Sequence, residues 1–201
     1  MGGIIILNGS PRAPRSNSKG YAQLFARYSA LPTSYFEITG SNHPQLCAGL
    51  EDCKHVLLVF PLYADGIPVT LLNFLKSLEQ SSLKNRPVIS ALINCGFLEP
   101  HQCDVAADMI RLFCAQNGYP AGSILKIGSG EAILDSPFRF LAAGSVKKLA
   151  RSIAREEYGA FQTTMPLSKG MFLSASTKYW LSLGRKNGIT QQQMQSMEIE
   201  P

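Results

Sequence analysis

Charge is scarce in this chain. Charged residues fill 16% of its 201 positions, below the usual quarter, and so small a share argues against long disordered stretches. No apolar run approaches the length that spans a membrane: the opening "MGGIII" is too short, and no basic region precedes it. It carries isoleucine at position six, where a myristoylation signal wants Ser or Thr. There is no Gly-Lys-Ser/Thr at Walker spacing and no G-x-G-x-x-G, which sets aside two common nucleotide-binding loops. No Ser–His–Asp set is evident, no acidic cluster follows the first apolar run, and no basic–aromatic stripe marks a nucleic-acid surface.

The five cysteines, Cys47, Cys53, Cys95, Cys103 and Cys114, are odd in number and irregularly spaced. We therefore expect a reduced, cytoplasmic protein with free thiols. Cys95, His101 and Cys103 lie close together, but their spacing matches no common zinc pattern, and buried free cysteine is frequent, so we expect no metal. A Cys95–Cys103 disulfide is left open.

Hydrophobic residues make up 45% of the chain, with a mean hydropathy of +0.03. That suffices for one substantial core, so we expect one domain with an appendage. The net charge of +5 suits anionic small molecules and nucleic acid about equally.

Apolar runs alternate with helical periodicity. Ile4–Leu7 reads as a buried strand, and Tyr21, Leu24, Phe25 and Tyr28 then recur at helix spacing. Ser34–Ile38 is a second strand, followed by a short helix around Pro44–Cys53. "HVLLVF", His55–Phe60, is apolar on both faces. Pro68 fits the first turn of the next helix, whose expected inner face is Val69, Leu72, Leu75 and Leu78. "VISALI", Val88–Ile93, is a fourth strand. Val105, Met109, Leu112 and Phe113 mark a fourth helix, stopped at Asn117-Gly118 with Pro120 beyond. Ser123–Ile127 is a fifth strand, and Val146, Leu149, Ala150 and Ile153 face inward on a fifth helix.

Strands buried on both faces and separated by helices predict an α/β three-layer sandwich around a parallel sheet. We place this domain at residues 1–160 and a C-terminal extension at 161–201. Trp180 and Leu183 of the extension are expected to dock on the core or on a dimer partner. Arg185 and Lys186, just before Asn187-Gly188, read as the basic end of a helix.

In an open parallel sheet, ligands bind beyond the carboxyl ends of the strands, where the winding reverses. In the strand order 2-1-3-4-5 the loops after strands one, three and four crowd one crevice. These are the loops of odd composition: "NGSPRAPRSNS", "PLYADGIP" and "NCGFLEP". The first leads into a helix N-terminus, where N–H groups and the dipole favour an anion. Ser10, Ser16 and Ser18 add hydroxyls, Asn17 an amide, and Arg12 (or Arg15) a fork suited to phosphate oxygens. An ordinary βα loop needs only two to six residues. In the second loop, Tyr63 and the turn behind it suit a flat aromatic ligand, or Tyr63 merely covers the sheet end. Asp65-Gly66 is ordinary turn chemistry. In the third, Gly96 lets backbone approach a ring edge, Asn94 supplies polar contacts, and Phe97 caps a ring or fills the core.

Taken together, these segments resemble the flavodoxin-like NADPH-dependent FMN reductase and NAD(P)H-dependent oxidoreductase family. "GSPR…SNS" is similar to its phosphate loop, and "PLYADGIPVTLLNFL", Pro61–Leu75, to its second signature. "NCGFLEPHQ" and "GSGEAI" resemble later segments. The resemblance implies a five-stranded sheet in the order 2-1-3-4-5 and FMN as cofactor. It places the phosphate at Ser10, Arg12, Ser16, Asn17 and Ser18. The ring would lie between Pro61, Leu62, Tyr63, Ala64, Asp65 and Gly66 on one side and Asn94, Cys95, Gly96 and Phe97 on the other. It further implies NAD(P)H as donor, a small-molecule electron acceptor, and a homodimer, with no nucleic-acid or membrane partner. Iron–sulfur members carry a compact cluster of four cysteines before the third strand; here only Cys47 and Cys53 stand there, so no cluster is expected. Electron-carrier flavodoxins are typically acidic, whereas this chain is basic, which favours a reductase over a carrier.

Overall fold

The apolar run that opens the chain forms a strand, β1 (Ile4–Asn8), in a computed structural model that describes residues 3–13 and 15–196. Five more strands follow: β2 (Thr33–Glu37), β3 (His55–Pro61), β4 (Val88–Asn94), β5 (Ala121–Ile127) and β6 (Ala160–Thr163). All pair in parallel, in the order β2-β1-β3-β4-β5-β6. The five expected strands stand in the expected order. The sixth was not foreseen, because β6 is a four-residue edge strand with an alternating, half-exposed pattern and no apolar run to announce it. Its register against Ile124–Ile127 carries the sheet to Thr163.

The chain divides into two compact units, Met1–Met165 and Pro166–Pro201. In the first, helices α1 (Asn17–Tyr28) and α5 (Arg139–Arg155) pack together on one face of the sheet. Helices α2 (His43–Gly49), α3 (Val69–Glu79) and α4 (Asp104–Asn117) cover the other, where their buried residues form one cluster with Leu7, Leu58, Phe60, Ala91 and Ile93. The period-two alternation of β3 and β4 feeds both layers, which is why these strands read as unbroken apolar runs. Burying a side chain such as Leu58 or Phe60, both wholly enclosed, contributes about 1.5–3 kcal/mol.

The inner face of α5 is the expected one: Val146, Leu149, Ala150 and Ile153 are all buried. Helix α3 is rotated from expectation. It buries Leu71 and Phe74 with Leu75 and Leu78, while Val69 and Leu72 are exposed. Helix α4 turns Ala106, Ala107, Ile110 and Cys114 inward and leaves Val105 and Leu112 exposed. Both helices carry apolar residues on more than one face, and periodicity alone selects the bulkier set. The small Ala106 and Ala107 let α4 lie close to the sheet. Gly118, at φ 66, ends α4 with its N–H donating to the Cys114 carbonyl, as the Asn-Gly pair predicts.

In the second unit, α6 (Lys169–Lys186) is capped by Ser168, whose hydroxyl accepts from Met171 N–H. Arg185 and Lys186 fill its last turn, as expected. The glutamine-rich segment forms a short helix, α7 (Gln191–Gln195), with a reciprocal capping box between Thr190 and Gln193. Gly184 is buried where Met194 folds back: a Cβ there would meet the Met194 sulfur at 2.5 Å.

Candidate functional site

Register sets the strand ends level. Asn8 stands beside Val59, Pro61 beside Asn94, and Asn94 beside Ile127, so the loops after β1, β3, β4 and β5 leave the sheet along one edge. The reversal lies between β1 and β3, since β1 has β2 on one side and β3 on the other. The three loops of odd composition therefore meet where a ligand crevice belongs.

The first loop is a succession of turns on a buried footing. Gly9 N–H donates to Val59 O at 2.9 Å, Ala13 N–H to Ser10 O, and Arg15 N–H to Arg12 O. A Cβ on Gly9 would lie 3.1 Å from Leu71 Cβ, so loop and α3 approach closely. Ser10 is buried, and its hydroxyl accepts from Arg12 N–H at 3.3 Å. Ser16 is the N-cap of α1, accepting from Lys19 N–H at 3.3 Å. No acidic residue occupies the first turn of that helix. The N–H groups of Asn17 and Ser18 have no partner among the described residues. Arg12, Arg15 and Asn17 are exposed. Ser18 is placed differently: it is buried, and its hydroxyl accepts from Asn94 Nδ2 at 3.1 Å. Asn94 Nδ2 also donates to Phe60 O at 3.0 Å, so Asn94 ties α1 to the end of β3 beneath the crevice.

The second loop folds into a two-residue turn. Tyr63 and Gly66 exchange both backbone hydrogen bonds, at 3.0 and 2.9 Å. Ala64 and Asp65 sit between them at φ 44 and φ 58. Two successive left-handed residues make a type I′ turn. Tyr63, Ala64 and Asp65 are exposed, Pro61, Leu62 and Gly66 half-buried. Leu62 N–H donates to Asn94 O at 2.7 Å, joining the second loop to the third.

In the third loop Cys95 is buried, and its N–H is taken by Ile127 O at 2.9 Å. Gly96 and Phe97 are exposed, and their N–H groups have no partner among the described residues. Phe97 thus does not fill the core. The neighbouring Cys103 thiol draws Cys95 below the ordinary thiol range, while Cys95 and burial push Cys103 well above it. All five cysteines are free and buried. Among the described residues no group of three or more His, Cys, Asp or Glu is arranged to hold a metal, and no helix is long and apolar enough to cross a membrane.

The structure adds residues that sequence reasoning passed over. Asn8 is wholly buried at the foot of the first loop. Tyr35 donates its hydroxyl proton to Glu37 Oε1 at 3.2 Å, and Lys19 Nζ lies 3.5 Å from the same carboxylate. Burial raises the Tyr35 phenol, opposed by its bond from Asn8 and reinforced by the Glu37 charge. The signal was present in "SYFEI", whose alternation puts Tyr35 and Glu37 on one face of β2. Glu131, in the loop after β5, brings its carboxyl carbon to 3.4 Å from where a Gly96 Cβ would stand. Among the described residues the site therefore has anion donors at one end, unpartnered backbone N–H groups at the other, and no nucleophile–base pair.

No protein-family model and no curated protein matches this chain. Solved structures do. A flavodoxin from Streptococcus pneumoniae TIGR4 is 15% identical with a TM-score of 0.56, over 76% of this chain and 99% of that one. An NAD(P)H:quinone oxidoreductase from Methanothermobacter marburgensis is 9% identical with a TM-score of 0.59, over 77% and 98%. An FMN-dependent NADH-azoreductase from Bacillus anthracis, in complex with FMN, is 13% identical with a TM-score of 0.56, over 77% and 100%. The chain spans 35% of the length of rubredoxin:oxygen oxidoreductase from Desulfovibrio gigas, another structure that it resembles. At these identities the likeness establishes the fold. The chain is a flavodoxin-like α/β sandwich with a sixth strand and a C-terminal helical unit.

Proposed function

We propose that the protein is an FMN-dependent oxidoreductase that takes hydride from NAD(P)H and reduces a small acceptor such as a quinone, a flavin or a nitro compound. The observation that carries this reading is the first loop. It brings Ser10, Ser16 and the Asn17 and Ser18 N–H groups to the N-terminus of a helix whose first turn holds no acid, with Arg12 exposed on the same loop. That donor set fits a terminal phosphate and needs no metal. Ser18 offers its backbone N–H there, while its hydroxyl lies buried and accepts from Asn94 beneath the loop.

When bound, FMN supplies the hydride chemistry; the chain supplies position and electrostatics. The N–H groups of Ala64, Asp65, Gly96 and Phe97, without a partner among the described residues, would hydrogen-bond the carbonyls and nitrogens of the ring. Tyr63 and Phe97, half-exposed at 50% and 49%, would cover the ring and exclude water from it. The Leu62 N–H bond to Asn94 O holds the second loop to the third, and the Cys95 N–H bond to Ile127 O ties the third loop to the end of β5. The likeness to a quinone oxidoreductase and an azoreductase supports a reductase, and the net charge of +5 argues against the acidic carrier type.

Self-association accords with the exposed Val69 on α3 and the exposed Val105 and Leu112 on α4, apolar side chains that a second copy would cover. Light scattering of the purified protein reads a dimer mass on this reading. On this reading the protein works in the cytoplasm.

The deciding experiment is optical. Purified protein incubated with FMN and desalted shows flavin absorption near one equivalent, and anaerobic NADPH or NADH bleaches it without a partner protein. A preparation that stays colourless ends the FMN reading. Bleaching only when a separate reductase is added makes the protein an electron carrier instead.

A further inference from the structure

We infer that Asn8 is the positioning residue of the phosphate loop, and that its carboxamide sets the preference for FMN over the same flavin without its phosphate. The inference rests on the FMN reading above and assigns the specificity of that site to a residue outside its surface.

Asn8 ends β1 and is wholly buried. Its Oδ1 accepts from Ser10 N–H at 2.9 Å, while Nδ2 donates to Ser16 Oγ at 3.3 Å and to Tyr35 Oη at 2.9 Å. The orientation of the amide follows from the first of these bonds, because a backbone N–H only donates. One buried side chain therefore grips the start of the loop at Ser10, its end at Ser16, and the neighbouring strand β2. Both hydrogens of Nδ2 are used.

The consequence falls on Ser16. Its oxygen accepts twice, from Asn8 Nδ2 and from Lys19 N–H, both at 3.3 Å. With both lone pairs occupied, the hydroxyl proton has no role but to donate. It is left to donate to an oxygen of a phosphate bound in the loop. Ser10 is biased the same way, because its oxygen accepts from Arg12 N–H. Tyr35 closes the arrangement from the side: it accepts from Asn8 and donates to Glu37, whose charge Lys19 offsets. Without Asn8, the Ser16 hydroxyl is free to turn inward, and the site loses a fixed donor for phosphate while its ring contacts are untouched.

The test substitutes Asn8→Asp, which keeps the shape but replaces two donors by acceptors. Dissociation constants for FMN and for riboflavin are measured by quenching of flavin fluorescence, with circular dichroism to confirm the fold. Riboflavin reads the ring subsite alone. Loss of a fixed donor to a charged phosphate weakens FMN by about tenfold or more, while riboflavin changes by less than about twofold, so the FMN preference collapses. Ser16→Ala produces a similar collapse, and the double variant adds little to either single one. A folded Asn8→Asp protein that keeps the wild-type preference overturns the inference and leaves the FMN reading standing. Wild-type protein that binds no FMN overturns the reading itself. Should Asn8→Asp not fold, Asn8→Ser is measured in the same way; if that also fails to fold, Asn8 is a stability residue and the inference falls.

Discussion

The hydroxyl of Tyr21 donates to the carbonyl oxygen of Gly130 at 2.8 Å, with the ring of Tyr21 wholly buried. The bond crosses from α1, which follows the first loop, to the loop after β5. Gly130 N–H in turn donates to Cys95 O at 2.7 Å. Three loops along one sheet edge are thereby linked through a single glycine. Burial, with the Cys95 and Asp135 charges behind it, pushes the phenol far above its ordinary range, so the hydroxyl stays a donor throughout the working pH.

Removing that hydroxyl leaves the Gly130 carbonyl buried without its partner. Tyr21→Phe is expected to lower stability by about 1–3 kcal/mol. Urea unfolding followed by circular dichroism reads this as a lower midpoint at an unchanged slope. A midpoint equal to that of wild type means the bond is not made in solution.

The turn of the second loop stores strain that glycine relieves. Ala64, at φ 44, has no polar side chain to favour the left-handed region, whereas Asp65, at φ 58, tolerates it better. Ala64→Gly is expected to gain up to about 1 kcal/mol, the relief of strain exceeding the added backbone freedom. For a domain of this size the melting temperature rises by about 2–4 °C. A fall on the same substitution shows that the turn does not keep this form.

Much of this was legible in the sequence, for identifiable reasons. The strands β3 and β4 are apolar on both faces, so "HVLLVF" and "VISALI" announce themselves, and the odd loops after them mark the ligand edge. Of the residues that mark α4, Met109 and Phe113 pack against the core while Val105 and Leu112 stay exposed, because apolar periodicity gives no weight to Ala106 and Ala107. Close packing on a sheet selects the smaller pair. β6 went unseen because an edge strand buries one face only and needs few apolar residues. In the site, the exposed donors of the first loop could be named from residue type. Asn8 could not, since a polar residue at the end of "IIILN" reads as the start of a loop, and only its three bonds reveal that it faces inward.

Cys114 gives stability a dependence on alkaline pH. It is buried, and desolvation pushes its thiol from the ordinary 9.0 up to about 11. The folded protein therefore keeps a proton that the unfolded chain releases earlier. Its contribution is complete below about pH 9 and is lost as pH rises toward about 11. At about 1.4 kcal/mol per unit, the decline reaches at most about 3 kcal/mol. Cys114→Ala lowers stability at neutral pH through the cavity it leaves, but flattens the fall between pH 9 and 11. Urea midpoints of both proteins across that range check this. Parallel declines would mean that other groups carry the alkaline loss.

Two glycine-to-alanine substitutions should act in opposite directions. Gly144 lies in the middle of α5, on its exposed side, and a Cβ there would meet no described atom within 4 Å. Alanine restores helix propensity, so Gly144→Ala is expected to stabilise by up to about 1 kcal/mol. At Gly130 the added carbon would stand 2.8 Å from Asn94 Cβ and 3.2 Å from the Cys95 nitrogen and oxygen. Neither neighbour yields easily. Asn94 is held by Ser18 and Phe60, and the Cys95 backbone by Ile127 and by Gly130 itself. Gly130→Ala is expected to cost about 1–3 kcal/mol and to displace the third loop, weakening flavin binding as well. Urea unfolding of both variants, with an FMN titration of each, separates the cases. If Gly130→Ala unfolds at the wild-type midpoint and binds FMN as wild type does, the loops after β4 and β5 are not interlocked at this glycine.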